Sequence, residues 1–441
     1  MMSLSRVFPL LLRPLLIMVL SAPVILLLLS VQTGSAVATP PPLTADEVAR
    51  IETLLLDSAP SVPSNPSQQS LRLDARDLNL LLRYSIDVMK LTPQWAGEVT
   101  LKADALNTQM SMRLVDGWFP LYLNFQADFV VGETSLELDR LRIGKLQVPD
   151  GLLQSVVSQL RDNLETNNAA YQDFGELLAN VERVTVEPTR MHVTLQWDPV
   201  LISRISEQVQ RLFISERDQQ RIIEHYRLIN EVAMTIPTDI RAVSLNAFLA
   251  PLFAAAHDRS LNGSDPIAEN CTLFQTLAIY VNNEDIAQLL GESLADDVAP
   301  AKFIEVRLQR RQDLAQHLVS MAAISASAGA DFAQLLSTTK EAYDARYRSG
   351  FSFSDLTANS VGVALADLST RDNDSALEMQ QRFAALQSES EYMPEVGGNR
   401  DGIPESDFTA LYNNRTSREY QQRLAEIQAL IDARPLFQGI N

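Results

Sequence analysis

Three pairs of polar residues, each spaced four apart, are the most chemically suggestive pattern in the 441-residue chain. Asp313 and His317 lie in RRQDLAQHL, Lys340 and Asp344 in TTKEAYD, and Asp355 and Asn359 in FSFSDLTANSVG. On a helix, residues four apart share a face. The three stretches are consecutive, and the apolar LVSMAAISASAGA that follows the first suits helices packed side by side. Polar pairs that converge inside a helical bundle can build a metal or general acid–base centre. The candidate metal ligands are therefore Asp313, His317, Asp344 and Asp355, with the last three at the core of the set. The competing reading is a buried ion-pair network that fixes helix register, or plain surface pairs. One His among carboxylates is a poor transition-metal set, which weighs toward that second reading.

Other chemistry is thinly represented. The phosphate-loop, dinucleotide-loop, nucleophile-elbow and H-E-x-x-H patterns are all absent. Ser337-Thr338-Thr339-Lys340 fits S-x-x-K, but the S-D-N and K-T-G partners of that site are missing. His192, His225 and His257 read as ordinary packed or exposed histidines, and the lone Cys271 as a buried, inert thiol. With 16 Gly the chain has little room for Gly-rich loops. No catalytic residue and no cofactor is expected. A net charge of −19 argues against nucleic acid as a partner.

The elements that carry the pairs are helical. Beyond about residue 200 the strand signal disappears, and successive apolar stripes at helical spacing run to the C-terminus. The segment Tyr392–Asp407, with Pro394 and Pro404 near its ends, reads as a solvated turn.

The first half reads differently. Leu71 and Leu73 mark a short strand, and Asp74 caps a helix through Leu78, Leu81, Leu82, Ile86 and Met89. Four alternating runs follow, GEVTLKADA, MSMRLV, PLYLNFQADFVV and TSLELDRLRI, the last with a phase shift between Leu138 and Leu141. They predict an antiparallel sheet with one buried face. A helix over about 152–164 and another near 174–179 come next, then strands in VTVEPTRMHVTLQW with the turn at Pro188. Met89, Met110 and Met112 read as core, with an adaptable acyl-chain groove as the alternative. Trp95, Trp118 and Trp197 read as packed at sheet edges, with the membrane interface as the alternative.

Leu78-Asn79 after a short strand, and Ile143-Gly144-Lys145-Leu146 with Pro149, resemble the YpmS-like family of anchored bacterial envelope proteins. The likeness covers residues 70–200. It implies an anchored protein outside the cytoplasmic membrane, shaped like half of a tubular lipid-binding fold, and it carries no catalytic residues.

Arg6 and Arg13 precede an uncharged run from Pro14 to Val31, and Ala36 and Ala38 form an A-x-A site. Eighteen residues is short for a span and long for a signal-peptide core. Residues 1–38 are thus a signal peptide or a membrane anchor. Either way the remainder is exported to the periplasmic side of the cytoplasmic membrane. The expected order is a short helix and linker over 39–69, capped by Thr44, an α+β domain over 70–200, and an all-α domain over 201–441. The function expected first is a non-enzymatic lipid- or protein-binding module of the envelope. The alternatives are a metal-assisted hydrolase in the helical domain and a structural scaffold. Expected partners are the inner membrane, through residues 14–31, and a lipid or envelope protein.

Overall fold

The computed structural model describes residues 29–439 apart from 42, 63, 89–93, 134, 156–157, 160–175, 177–178 and 202–213. The chain forms two compact units, one of Met1–Leu43 and Asn65–Asp198, the other of Thr44–Ser64 and Pro199–Asn441. The fold is mixed α and β as expected, with the antiparallel sheet in the N-terminal half and helices in the C-terminal half. The segment expected as a separate helix and linker over 39–69 is divided between the two units. The expected short helix is α1 (Ala45–Ser58), and it belongs to the second unit. Thr44 caps it, in a reciprocal box with Glu47.

In the first unit, Asp74 ends strand β2 (Ser67–Asp74) and begins helix α2 (Ala75–Val88). Its carboxylate accepts from the Asp77 N–H, and Asp77 accepts from the Asp74 N–H, so two otherwise orphaned donors are satisfied. Strands β3 (Trp95–Lys102), β4 (Ala105–Val115), β5 (Leu121–Val131) and β6 (Leu136–Ile143) form a meander, with β7 (Leu146–Gln147) folding back on β6. The phase shift read in β6 is a bulge: Phe129 faces Leu138 while Asp128 faces Arg140. Strands β8 (Val181–Val186) and β9 (Arg190–Trp197) join β2 in a second antiparallel sheet.

Helix α2 packs on the meander at Gly97, where a Cβ would fall 2.8 Å from Leu82 Cδ2. Asn79 then acts as a strand substitute. Its amide donates to the Val99 carbonyl and accepts from the Val99 N–H, each at 2.7 Å, at the free edge of β3. Met110 and Met112 lie opposite Gly97 and Trp95, on the strands beneath that helix. Met89 and most of the expected helices over 152–164 and 174–179 lie outside the described residues.

The last residues of the apolar run and the chain just after it are woven into this unit. Strand β1 (Val31–Gln32) pairs with β5 at Leu123 and Tyr122. The Ala36 N–H donates to Ser111 Oγ and Asn124 Oδ1, the Val37 N–H to Ser111 Oγ, and Asn124 Nδ2 to Gln32 Oε1 and the Gly34 carbonyl. Ser111 and Asn124 are buried, as is Val37. Gly144, at φ +59°, faces the carbonyls of Leu29 and Ser30, and only a residue without a Cβ fits there. Among the described residues no helix is long and apolar enough to cross a membrane. The run from Pro14 lies outside them as far as residue 28.

The second unit is built from helices α3 (Glu216–Thr235), α4 (Asn246–Leu261), α5 (Pro266–Val281), the short α6 (Ala287–Leu290) and α7 (Glu292–Ala295), α8 (Gln312–Ala328), α9 (Ala330–Tyr347), α10 (Phe353–Thr370), α11 (Asn373–Ala384), α12 (Glu405–Tyr412) and α13 (Arg418–Asp432). The all-α expectation is corrected by a parallel pair, β10 (Ala242–Ser244) and β11 (Glu305–Arg307). Three residues are too few to show a two-residue period, which is why the sequence hid them. The expected solvated turn over 392–407 is corrected as well. Tyr392, Met393, Val396 and Ile403 are buried in the core, and Ile403 bridges Phe351.

One large core joins α4, α5, α8, α10 and α11, and each fully buried Leu, Ile or Phe in it contributes ~1.5–3 kcal/mol. Helix α8 crosses α10 at close range. A Cβ on Gly362 would lie 2.2 Å from the Leu318 carbonyl oxygen, so the two backbones nearly touch. That crossing brings His317 beside the first turns of α10.

Candidate metal centre

Three helices each deliver one ligand-bearing side chain to a common point: His317 from α8, Glu341 from α9 and Asp355 from α10. One donor atom from each lies within 4.8 Å of the other two. His317 Nε2 is 3.5 Å from Asp355 Oδ2, and His317 Nδ1 is 3.0 Å from Asn359 Oδ1. With Nδ1–H donating to Asn359, the Nε2 lone pair faces the two carboxylates. An outer partner of this kind commonly fixes the tautomer of a metal-bound His.

Glu341 is the deepest member, with a side chain 1% exposed. Its Oε2 accepts from the Ser352 N–H at 3.2 Å, while its Oε1 has no hydrogen-bond donor and only the Lys340 ammonium at 3.6 Å. Burial, with the charge of Asp355 adding to it, pushes the Glu341 carboxyl up to about 7. Burial also raises Asp355, against the opposing pull of His317 and Arg311. Burial and the Lys340 charge lower His317, so its imidazole stays neutral at neutral pH, the form that binds metals.

A belt of charge surrounds these three. Arg311 reaches Asp355 at 3.2 Å and Asp401 at 3.1 Å, and also pairs with Asp313. Asp401 in turn accepts from Ser352 Oγ and the Ser354 N–H at the start of α10. Lys340 Nζ sits 2.9 Å from Asp344. Five carboxylates (Asp313, Glu341, Asp344, Asp355 and Asp401) thus share two permanent cations, Arg311 and Lys340.

Of the residues expected from spacing, His317 and Asp355 meet. Asp313 does not join them. Its half-exposed side chain turns to Arg311, whose contacts lower its pKa against the opposing effect of burial. Asp344 stays on Lys340, outside the three-residue cluster. Glu341, one residue from the Lys340–Asp344 pair, is the ligand that pairing by fours passed over. The signal was present: Ala333, Ser337, Glu341 and Ala345 form the buried stripe of α9, and a carboxylate on such a stripe needs a reason.

A second buried network serves as contrast. His225 and Glu269 are buried, and the Glu269 oxygens are taken by His225, Arg259 and Ser264. Burial favours the protonated acid, yet those hydrogen bonds prevail and hold Glu269 down at about 2. That network is saturated and leaves no open donor position. Cys271, donating to the Ala326 carbonyl, is pushed up to about 11 by burial, as suits an inert thiol.

No protein family, no curated protein and no solved structure matches the chain.

Proposed function

We propose that the second unit binds one divalent metal ion between His317, Glu341 and Asp355, and that the protein is a metal-assisted hydrolase of the cell envelope. The observation that carries this is the convergence of one neutral imidazole and two carboxylates from three helices, with a buried Glu341 oxygen that lacks a donor. A cation there removes the conflict between two buried acids. Three protein ligands leave coordination positions for water and substrate, the pattern of catalytic rather than structural sites. His317 and Asp355 are 14% and 18% exposed, so the site opens to solvent on one side. Such an ion would supply a water acidic enough to act as hydroxide near neutral pH, and Lys340, held on Asp344, would keep a positive charge beside it.

The test is direct. Full-length protein in nanodiscs, stripped with chelator, is titrated with Zn²⁺ or Mn²⁺ and its metal content measured. One ion per chain is expected for wild type, with a loss of ten-fold or more in affinity for His317→Ala and Glu341→Gln. Equal uptake by wild type and His317→Ala overturns the reading.

On the N-terminal side the proposal is an uncleaved anchor in the apolar run that begins at Pro14, the last residues of the run, Leu29 to Val31, being bonded into the first unit. The woven segment supports it. Cleavage after Ala38 would remove β1 and leave Ser111 and Asn124, both buried, with their bond to each other but without their partners in residues 32–37. The YpmS-like resemblance points the same way. Alkaline carbonate extraction tests it, since a processed chain is released and an anchored one stays with the membrane.

A further inference from the structure

The least expected surface feature is the hairpin between β4 and β5. Trp118 is 98% exposed and Phe119 is 82% exposed, and Leu114 and Val115 before them are also exposed. Far from packing at a sheet edge, Trp118 stands at the tip, on a turn where Gly117 takes φ +113°. The other two tryptophans are half-buried, and Trp95 stacks on Phe125 at 5.9 Å. Asp116, the acid of the turn, pairs with Arg113 at 2.6 Å, so the tip carries no unpaired charge. Two adjacent aromatic side chains left in water are costly unless something covers them.

The topology says what lies beside the tip. Strand β1 pairs with the start of β5, Val31 against Leu123, and the Lys145 N–H donates to the Leu29 carbonyl. The β4–β5 hairpin, the β6–β7 turn and the entry of the chain from the apolar run therefore share one end of the sheet. Trp118 precedes Leu123 by five residues, which confines the tip to within roughly 20 Å of Val31. We propose that the Trp118–Phe119 hairpin is a second membrane contact, inserted into the lipid interface beside the anchor and fixing the tilt of the first unit on the bilayer. This rests on the anchor reading above. Trp is the side chain that settles at the interface, its indole N–H wet and its rings in the acyl boundary, and a tether at the same sheet end makes that insertion effectively intramolecular.

The experiment uses the full chain reconstituted in vesicles of phosphatidylethanolamine and phosphatidylglycerol, with or without lipids brominated high on the acyl chain. Trp118 is one of three tryptophans, so bromolipid should remove about a third of the emission in wild type and almost none in Trp118→Phe. The double variant Trp118→Ser/Phe119→Ser should keep wild-type circular dichroism, because both side chains are exposed. It should also show faster proteolysis after Arg113. Quenching that is absent in wild type, or unchanged by Trp118→Phe, in a chain that resists carbonate extraction overturns the hairpin contact and leaves the anchor standing. A chain released by carbonate overturns the anchor and the hairpin contact with it.

Discussion

Replacing Glu341 by Gln separates the two readings of the polar cluster. The carboxyl of Glu341 is raised from 4.5 to about 7, chiefly by burial. Between those values the folded protein holds a proton that the unfolded chain has released. The unfolded state therefore binds fewer protons, and stability falls as pH rises through the window. The full difference is about 3 kcal/mol, reached once pH exceeds about 7. Gln does not titrate and keeps an oxygen to accept the Ser352 N–H. In chelator, Glu341→Gln should match wild type near pH 4.5 and exceed it by roughly 6–12 °C in Tm at pH 8, since ~1 kcal/mol is worth ~2–4 °C in a unit of this size. With saturating Zn²⁺ the order reverses, because the ion favours the ionised carboxylate and stabilises only the chain that binds it. Scanning calorimetry of both proteins from pH 4.5 to 8, with chelator and with Zn²⁺, reads all four cases. A Tm difference that does not change with pH would refute the argument for a strained buried acid. A pH-dependent difference that zinc leaves untouched would keep the strained acid and remove the metal.

Four further outcomes follow from the same geometry. Asp313→Asn should leave metal affinity within about two-fold of wild type while Asp355→Asn loses it, because the first acid faces Arg311 in solvent; parallel metal titrations compare them. Gly362→Ala should cost ~1–3 kcal/mol, by forcing α8 away from α10, and weaken metal binding with it, whereas Gly397→Ala, with open space around it, should change neither; denaturant melts at matched metal content decide. Asn79→Ala removes both hydrogen bonds to the Val99 backbone and should cost ~1–3 kcal/mol, with faster exchange of the Val99 amide than of amides in the centre of β4. Ser111→Val should loosen residues 32–37 and expose them to protease, which mass mapping of the first cleavage site would show.

Much of the architecture was legible because it rests on long periodic stretches. The meander, its bulge in β6 and the helices α9 and α10 each extend over enough residues for their period to show. What was hidden depends on contacts between distant residues. Strands β10 and β11 are three residues each and exist because Val306 is buried in the core. The segment 392–407 is polar and rich in Gly and Pro in sequence, yet Tyr392 and Met393 anchor it in the core and Asp401 caps α10 from within it. The site was half legible. Spacing by fours found His317 and Asp355, because both lie on helix faces that meet at Gly362. It chose Asp344 over Glu341 because it rewarded a Lys–Asp pair, and that pair faces the rim rather than the interior.

The charge inventory favours the proposed metal site over an ion-pair network. A network that exists to fix helix register should be close to neutral and saturated, since buried polar groups without partners cost ~1–3 kcal/mol each. The cluster of His225, Glu269, Arg259 and Ser264 meets that standard: every Glu269 oxygen is hydrogen-bonded, and its acid is held at about 2. The cluster at α8, α9 and α10 does not. Arg311 is divided among three carboxylates and Lys340 between two. Glu341 keeps an oxygen without a donor, and two neighbouring acids are both raised. A proton on Glu341 relieves one negative charge and nothing else. A divalent ion relieves two, uses the free Glu341 oxygen and takes the His317 lone pair that the Asn359 contact leaves facing inward. The same fold thus contains a finished polar network and an unfinished one, and only the unfinished one has the donor set of a metal site.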